Sequence, residues 1–251
     1  LPASKSISNR ALVIHALAGG NIMPENLSTC DDTAVIARAF KDNPYEIDIM
    51  AAGTAMRFMT AYLAVTEGEH VLTGTERMKQ RPIKILVDAL RSLGADIQYT
   101  GEEGFPPLLI KGKKLKGGSV EVAGNVSSQY VSALLMIGPT LEKGLELKLL
   151  GNVISRPYID LTLNLMHEYG ADAEWTDVDT ITIRPKRYEE RNYTIENDWT
   201  AASYWYAILT LLNDRKSYIR FPGLKNGSRQ GDSAAKYIFS LLGVKTTFAD
   251  K

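Results

Sequence analysis

The chain has 251 residues, 45% of them apolar and 23% charged, and its 29 basic and 29 acidic residues leave no net charge. This balance argues against a protein that binds nucleic acid through bulk charge. The single cysteine, Cys30, excludes an internal disulfide and favours a reducing compartment, so we expect a cytoplasmic protein. No apolar run approaches the roughly 18 residues that a membrane span needs, and no signal peptide is apparent, so no membrane partner is expected.

The first ten residues combine a helix start with two cations. A proline and a Ser/Asn cluster predict no helix before residue 6, and the apolar run 11–18 predicts a buried helix that ends at a Gly-Gly pair. Ser6 or Ser8 is then expected near the N-cap, with Lys5 and Arg10 beside it. Unpaired N–H groups and the helix dipole favour an anion there, although an ordinary capped helix explains this stretch equally well.

The rest of the chain repeats one pattern. Three segments each predict an amphipathic helix that ends at Gly and is followed by an alternating strand: 81–94 with 95–100, 156–170 with 171–175, and 229–243 with 244–248. Each of these segments is preceded by a polar helix start, an apolar helix and a short strand. The helix starts lie at 53–57, 126–130 and 198–203, and the strands at 69–74, 145–151 and 217–223. The opening stretch and a helix at 31–40 begin the series, so we count four copies of helix–strand–helix–strand–strand, at 5–50, 51–124, 125–195 and 196–251.

These copies predict an α/β fold with internal helices and outer sheets. Hairpins are expected to close the two middle copies, turning at 105–107 and 177–179. Three complete copies predict a first domain at 1–190. The fourth copy is too small to be stable alone, so 191–251 is expected to be the first unit of a second, incomplete domain, after a linker at 187–192.

Equivalent helices of a repeat point the same way, so their N-termini are expected to converge on one face of the first domain. The helix starts concerned are Lys5-Ser6, Gly53-Thr54 and Ser127-Ser128-Gln129. Such N-termini favour a multiply charged anion by roughly 0.3–1 kcal/mol each, and a glycine lets the backbone approach a ligand closely. Guanidinium groups suit phosphate and carboxylate, and the arginines in or just before these and the amphipathic helices are Arg10, Arg57, Arg81 and Arg156.

Five segments resemble the 5-enolpyruvylshikimate-3-phosphate synthase family, in the same order along the chain. They are LPASKSISNRAL at 1–12, AGTAMR at 52–57, LTGTERMKQRPI at 72–83, NVSSQ at 125–129 and ISRPYID at 154–160. The resemblance implies two domains of three units each that close around shikimate 3-phosphate and phosphoenolpyruvate. It also implies transfer of the enolpyruvyl group to the shikimate 5-hydroxyl with release of phosphate, in aromatic amino acid biosynthesis, by a monomer that needs no metal or other cofactor.

The resemblance also assigns roles to individual residues. Lys5 would touch both substrates and is the catalytic candidate. The shikimate 3-phosphate side would comprise Ser6, Arg10 on the carboxylate, Ser127, Ser128 and Ser155 on the phosphate, and Tyr158. The phosphoenolpyruvate side would comprise Gly53, Thr54 and Arg81, with Gln129 between the substrates.

Two positions depart from the family's pattern. Ala51 stands where the family usually has Asn, and Phe58 stands where it commonly has Pro, both beside the expected phosphoenolpyruvate pocket. Gly53 is retained, so a glyphosate-sized ligand should still fit. The family's catalytic Asp and Glu and several Arg and Lys residues belong to a region of the second domain outside this chain, so we expect the isolated chain to bind substrate without turnover.

Two alternatives stay open. The sister enolpyruvyl transferase that acts on UDP-N-acetylglucosamine shares the fold but uses a loop cysteine, and Cys30 does not match the place of that loop. The other alternative is a non-catalytic fragment that binds one anion. Asp198 is expected to cap a helix of the fourth copy, with a role in the cleft as the alternative. No catalytic role is expected for the histidines, which are His15, His70 and His167.

Overall fold

The computed structural model describes residues 1–214 and 216–249, and its elements largely follow the predicted order. The helices are α1 Lys5–Ala18, α2 Asp31–Asp42, α3 Gly53–Val65, α4 Glu76–Lys79, α5 Lys84–Ser92, α6 Ser128–Ile137, α7 Arg156–Glu168, α8 Trp199–Leu212 and α9 Ala235–Ser240. The strands are β1 Glu46–Asp48, β2 Gly68–Thr73, β3 Asp96–Tyr99, β4 Leu108–Gly112, β5 Gly118–Ala123, β6 Leu145–Leu150, β7 Ala173–Trp175 and β8 Thr180–Ile183. Short 3₁₀ turns, Gly138–Thr140 and Gly231–Ala234, follow α6 and precede α9.

Across the described residues, the strands form two four-stranded sheets of the same topology, β1-β2-β4-β3 and β5-β6-β8-β7. In each sheet the first two strands are parallel and are connected through a buried helix, α3 or α6. The last two strands form the antiparallel hairpins that were predicted, β3-β4 and β7-β8. Parallel strands need such a crossover because a tight turn can join only antiparallel neighbours.

Helices α1, α3 and α6 form the interior of the molecule. Every residue of α6 from 130 to 137 is buried, and buried positions occur on all faces of α3. A helix that is apolar all round has to be buried, whereas the amphipathic helix α5 buries only one face, with Leu86, Val87 and Leu90. The predicted fold class, with internal helices and outer sheets, is confirmed.

The sheets combine strands from different copies of the repeat. Strand β1, which ends the first copy, pairs with β2 of the second copy, and β5 pairs likewise with β6 of the third. Each sheet therefore combines strands from two successive copies, because the parallel partner of β2 or β6 precedes the helix that connects them. Over the described part of the first copy there is no strand between α1 and α2, and only the isolated bridge Glu25–Thr194 forms there.

Helix α1 begins at Lys5, earlier than expected, with Ser4 at the N-cap. Ser6 lies two residues from this cap, near it as expected, and Ser8 lies further inside the helix. The hydroxyl of Ser8 is buried and accepts a hydrogen bond from the backbone N–H of Ser28 at 3.0 Å, which ties the helix to the loop before α2.

The fourth copy forms its helices, α8 and α9, but not the strands predicted at 217–223 and 244–248. A strand is stabilised by hydrogen bonds to a neighbouring strand, and the described residues provide no such neighbour for these two segments. A small cluster of Trp199, Ala202 and Tyr206 is buried there, apart from the main core. Large apolar side chains of α8, α9 and the turn after α9 are left exposed: Tyr204, Trp205, Ile208, Leu211, Leu212, Tyr237, Ile238, Leu241 and Leu242.

The segment predicted as a linker packs against the main core. Tyr188 is buried, and its hydroxyl donates a hydrogen bond to the carbonyl of Met136 at 2.8 Å. The backbone N–H of Glu189 donates to the carbonyl of Tyr169 at 2.9 Å, and Ile195 is buried in the same core. The chain therefore stays attached to the first three copies as far as Ile195.

Candidate functional site

The expected site residues follow the carboxyl ends of parallel strands. Strands β1 and β2 end side by side, and the loops after them lead to Gly53 and to the segment that carries Arg81. Strands β5 and β6 also end side by side, and their loops lead to Ser127 and Ser155. Loops at this edge of a parallel pair are where ligands bind in open α/β sheets.

A hydrogen bond joins the two loops in each sheet. In the first, the backbone N–H of Thr75 donates to the carbonyl of Met50 at 3.0 Å, and in the second that of Ile154 donates to the carbonyl of Gly124 at 3.4 Å. Ser128 begins α6 and Ser155 is the N-cap of α7, so the serines at 127–128 and Ser155 follow two neighbouring loops.

The N-termini of α3 and α6 meet, as predicted. The amide Nε2 of Gln129 donates a hydrogen bond to Oγ1 of Thr54 at 3.2 Å. Ser127 caps α6 by accepting from the backbone N–H of Gln129 at 3.3 Å, while its own side chain remains exposed. Two helix N-termini are thereby brought to one place, which favours negative charge.

The guanidinium of Arg81 lies directly over the start of α3. A Cβ at Gly53 would collide with the Nη1, Nη2 and Cζ atoms of Arg81, so glycine leaves room for the guanidinium in this position. Burial, and then the neighbouring guanidinium of Arg57, lower the pKa of Arg81, and Arg77 acts in the same direction. Positive charge is thus concentrated at this corner.

Arg57 and Tyr130 support that corner from below. Arg57 is buried, and its guanidinium donates to the carbonyls of Gly53 at 3.2 Å and Pro82 at 2.9 Å. The hydroxyl of Tyr130 donates to the same Pro82 carbonyl at 2.6 Å, and its ring centroid lies 5.6 Å from Cζ of Arg57. Sequence reasoning missed Tyr130, although a buried tyrosine next to Gln129 needs a partner for its hydroxyl.

Lys5, Ser6 and Tyr158 line a second part of the site, a cleft of about 310 Å³. The lining of this cleft also includes Asp198 and Asp232. Asp198 also caps α8 by accepting from the backbone N–H of Thr200 at 2.9 Å, so both interpretations of this residue agree with its position.

Asp32 is an acidic neighbour of both parts of the site. Its carboxylate lies 3.8 Å from the ammonium group of Lys5, and its charge also acts on Arg81. Asp32 itself lies in the first turn of α2. Its proximity to Lys5 depends on the packing of α1 against α2.

Arg10 is almost fully buried, at 3% exposure. Its guanidinium donates to Oγ1 of Thr162 at 2.7 Å, to the hydroxyl of Ser132 at 2.9 Å and to the carbonyl of Ser6 at 2.9 Å, and Cζ lies 5.3 Å from the ring centroid of Phe58. Burial lowers the pKa of Arg10 to about 10, so the group remains charged at neutral pH.

The four arginines do not all converge. Arg81 lies at the site and Arg57 just beneath it, whereas Arg156 stacks on the ring of Trp175 at 4.1 Å and donates to the carbonyl of Val178 at 3.4 Å. Arg156 is therefore occupied by the β7–β8 hairpin, and the expectation that it joins the anion site is wrong.

The cysteine and two of the histidines contact neighbouring groups of the fold. Cys30 is the N-cap residue of α2, and its sulfur lies 3.3 Å from Oγ1 of Thr33. The ring of His70 is bonded to the carbonyl of Pro44 at 2.9 Å, and that of His167 contacts the carbonyl of Ala173. Within residues 1–214 and 216–249, no group of His, Cys, Asp and Glu is arranged to hold a metal ion. None of the helices described there is long and apolar enough to cross a membrane.

Comparisons with known proteins identify the family of this chain. A family model described as EPSP synthase (3-phosphoshikimate 1-carboxyvinyltransferase) matches residues 37–251. The chain is 56% identical over 250 residues to a 3-phosphoshikimate 1-carboxyvinyltransferase of Bacteroides fragilis, all of the chain being covered but only 60% of the relative. A relative of the same name from Actinobacillus pleuropneumoniae is 37% identical over 281 residues, with 100% of the chain and 64% of the relative covered.

Solved structures give the same fold. The EPSP synthase from Acinetobacter baumannii superimposes with a TM-score of 0.72 at 24% identity, over 82% of this chain and 51% of that one. The chain thus spans about 60% of the length of the curated relatives from Bacteroides fragilis. On the extent of the family match, the chain belongs to the EPSP synthase (3-phosphoshikimate 1-carboxyvinyltransferase) family.

Proposed function

We propose that this chain is part of an enzyme that transfers the enolpyruvyl group of phosphoenolpyruvate to the 5-hydroxyl of shikimate 3-phosphate. The observation that carries the proposal is the meeting of the α3 and α6 N-termini through Gln129 and Thr54, with the guanidinium of Arg81 above Gly53. Between them the two substrates carry two phosphates and two carboxylates. A corner with two helix dipoles and a cluster of guanidinium groups suits such ligands.

The reaction determines what the site has to do. The hydroxyl loses its proton as its oxygen adds to C2 of phosphoenolpyruvate and C3 takes up a proton. The tetrahedral adduct then loses phosphate from C2 and a proton from C3 as the double bond re-forms. Negative charge builds up on the departing phosphate, so fixed cations in a site that excludes water lower the barrier. Lys5 is proposed to touch both substrates, and Gly53, Thr54 and Arg81 to hold phosphoenolpyruvate.

Shikimate 3-phosphate is proposed to lie on the other side of Gln129. Ser127, Ser128 and Ser155, which neighbouring loops carry, would bind its phosphate. Ser6 and Tyr158 line the cleft beside Lys5 and would contact its ring. Arg10 would bind the carboxylate through guanidinium N–H groups that Thr162, Ser132 and Ser6 do not use.

We further propose that the 251-residue chain alone binds shikimate 3-phosphate without turnover. It spans 60% of its Bacteroides fragilis relative, and the fourth copy exposes apolar helix faces, as expected if residues from 191 onward begin a second domain. The complete enzyme is proposed to be a cytoplasmic monomer without metal or cofactor. The alternative of a purely anion-binding fragment differs only in having no phosphoenolpyruvate site.

Calorimetric titration of the chain with shikimate 3-phosphate tests this proposal. A variant with Ser127→Ala and Ser128→Ala should weaken binding at least tenfold, since hydrogen bonds to a charged group contribute about 1.5–3 kcal/mol each. Ser119→Ala is the control, because this serine bonds to Glu146 on an exposed strand away from the site. Unchanged affinity in the double variant, or tighter binding of UDP-N-acetylglucosamine than of shikimate 3-phosphate, would reject the proposal.

A further inference from the structure

We propose that the hydroxyl of Tyr130 positions Arg81 and thereby sets the affinity of the site for phosphoenolpyruvate. The inference deepens the proposed function and rests on it, because Arg81 is assigned there to the phosphoenolpyruvate side. Tyr130 does not touch the ligand in this proposal. It acts through the backbone next to Arg81.

The first step is the way in which the segment around Arg81 is held. This segment lies between α4 and α5, outside regular secondary structure. Pro82 has no backbone N–H, so its carbonyl is the only backbone hydrogen-bonding group that it can use. That carbonyl accepts two hydrogen bonds, from the hydroxyl of Tyr130 at 2.6 Å and from the guanidinium of Arg57 at 2.9 Å.

The second step is the origin of these two donors. Arg57 lies on α3 and Tyr130 on α6, the two helices whose N-termini meet at the site. Tyr130 directly follows Gln129, which bonds to Thr54. In the first turn of α6, the side chain of Gln129 therefore bonds to the start of α3, and the side chain of Tyr130 bonds to the segment that carries Arg81.

The third step is electrostatic. Two neighbouring guanidinium groups, those of Arg81 and Arg57, repel each other, and the pKa of Arg81 is lowered by burial and by this neighbour. A flexible arginine would relieve the repulsion by turning into solvent. Anchoring the adjacent carbonyl keeps the guanidinium over Gly53, where it is ready for an anion.

Tyr130→Phe isolates the hydroxyl. The variant keeps the ring that packs against Arg57 and removes only the bond to Pro82. We expect phosphoenolpyruvate, titrated in the presence of saturating shikimate 3-phosphate, to bind about two- to tenfold more weakly. The affinity for shikimate 3-phosphate alone should not change.

Tyr188→Phe is the matched control. It removes another phenol–carbonyl hydrogen bond, of 2.8 Å, from Tyr188 to Met136 at the opposite end of α6. Both variants should lose stability to a similar extent, but Tyr188→Phe should leave both affinities unchanged. Equal phosphoenolpyruvate affinities of Tyr130→Phe and the unsubstituted chain, or an equal loss for both ligands, would overturn the inference.

A second measurement does not depend on ligand binding. In arginine-labelled protein, the Nε–H resonance of Arg81, assigned through Arg81→Lys, should show faster internal motion in Tyr130→Phe than in Tyr188→Phe. If the unsubstituted chain binds neither ligand, the proposed function of this site fails, and this resonance alone decides the role of Tyr130. Identical Arg81 dynamics in the two variants would then reject it.

Discussion

The guanidinium Nε of Arg10 on α1 donates a hydrogen bond to Oγ1 of Thr162 on α7 at 2.7 Å, although the two residues are 152 positions apart. Ser132 of α6 accepts from the same guanidinium at 2.9 Å and bonds to Thr162 at 2.8 Å. One buried cation thus connects three helices. Among the described residues it has hydroxyl and carbonyl partners and no ion pair, which leaves it well suited to an incoming carboxylate.

Thr162→Val should therefore destabilise the fold. The methyl group fills the place of the hydroxyl, but the buried guanidinium loses one acceptor, which costs about 1.5–3 kcal/mol. Urea unfolding measures the change. Thr182→Val, on the partly exposed strand β8, is the control and should change stability by less than about 0.5 kcal/mol. Equal effects of the two substitutions would mean that the Arg10 network contributes little.

Gly53→Ala should weaken phosphoenolpyruvate binding while the protein stays folded. The added methyl group collides with the guanidinium of Arg81. Because this flexible side chain can move away, the substitution displaces the cation and leaves the fold intact. Calorimetry with both ligands measures this. Phosphoenolpyruvate should lose affinity and shikimate 3-phosphate should not. Undiminished phosphoenolpyruvate binding would contradict the placement of Arg81 in the site.

Stability should depend on pH through His15. Burial lowers the pKa of this side chain, and the nearby Glu190 opposes the shift only in part. Below the ordinary histidine pKa of about 6.5 the unfolded chain therefore binds more protons than the folded protein, so the free energy of unfolding falls as the pH falls. The loss between pH 7.5 and 5.5, measured by urea unfolding, should be smaller in His15→Gln. If the free energy of unfolding falls equally in both proteins, other titrating groups cause the pH dependence.

The exposed apolar faces of α8 and α9 should make the isolated chain associate. Leu211 and Leu241 are 84% and 87% exposed, and exposed patches of this kind favour contact between copies. Leu211→Lys with Leu241→Lys should lower the apparent mass in concentrated solution, measured by sedimentation. The matched pair Val178→Lys and Tyr45→Lys, at exposed positions outside this patch, should leave it unchanged. If the variant with Leu211→Lys and Leu241→Lys still associates, the contact between copies lies outside this patch.

Local signals predicted most of the elements. Gly19 adopts φ 66° at the end of α1, as a C-terminal glycine should, and the apolar run of α6 is buried over its whole length. The hairpin of β7 and β8 turns near 177–179, where Asp and Val separate two alternating segments. These features depend on residues within one or two turns of each other, so periodicity and turn chemistry are sufficient.

Other expectations failed because they depended on distant partners. The segments at 217–223 and 244–248, which were predicted as strands, form none without neighbouring strands. Arg156 stacks on Trp175, a contact that depends on how the hairpin folds back over α7. No local pattern predicts which strand or ring will lie beside a given side chain.

Short-range periodicity and local residue types were sufficient to predict the α/β class, the repeated helices with internal apolar faces, and the motifs at the helix starts. Further contacts follow from the packing of the folded chain: Gln129 meets Thr54, Arg81 lies over Gly53, and Tyr130 and Arg57 share the carbonyl of Pro82. The contacts of Gln129 with Thr54 and of Tyr130 with Pro82 join different copies of the repeat, and the other two join separate segments of one copy. They form only when the internal helices pack together, since burial of their apolar faces brings the polar groups at their ends within hydrogen-bonding distance.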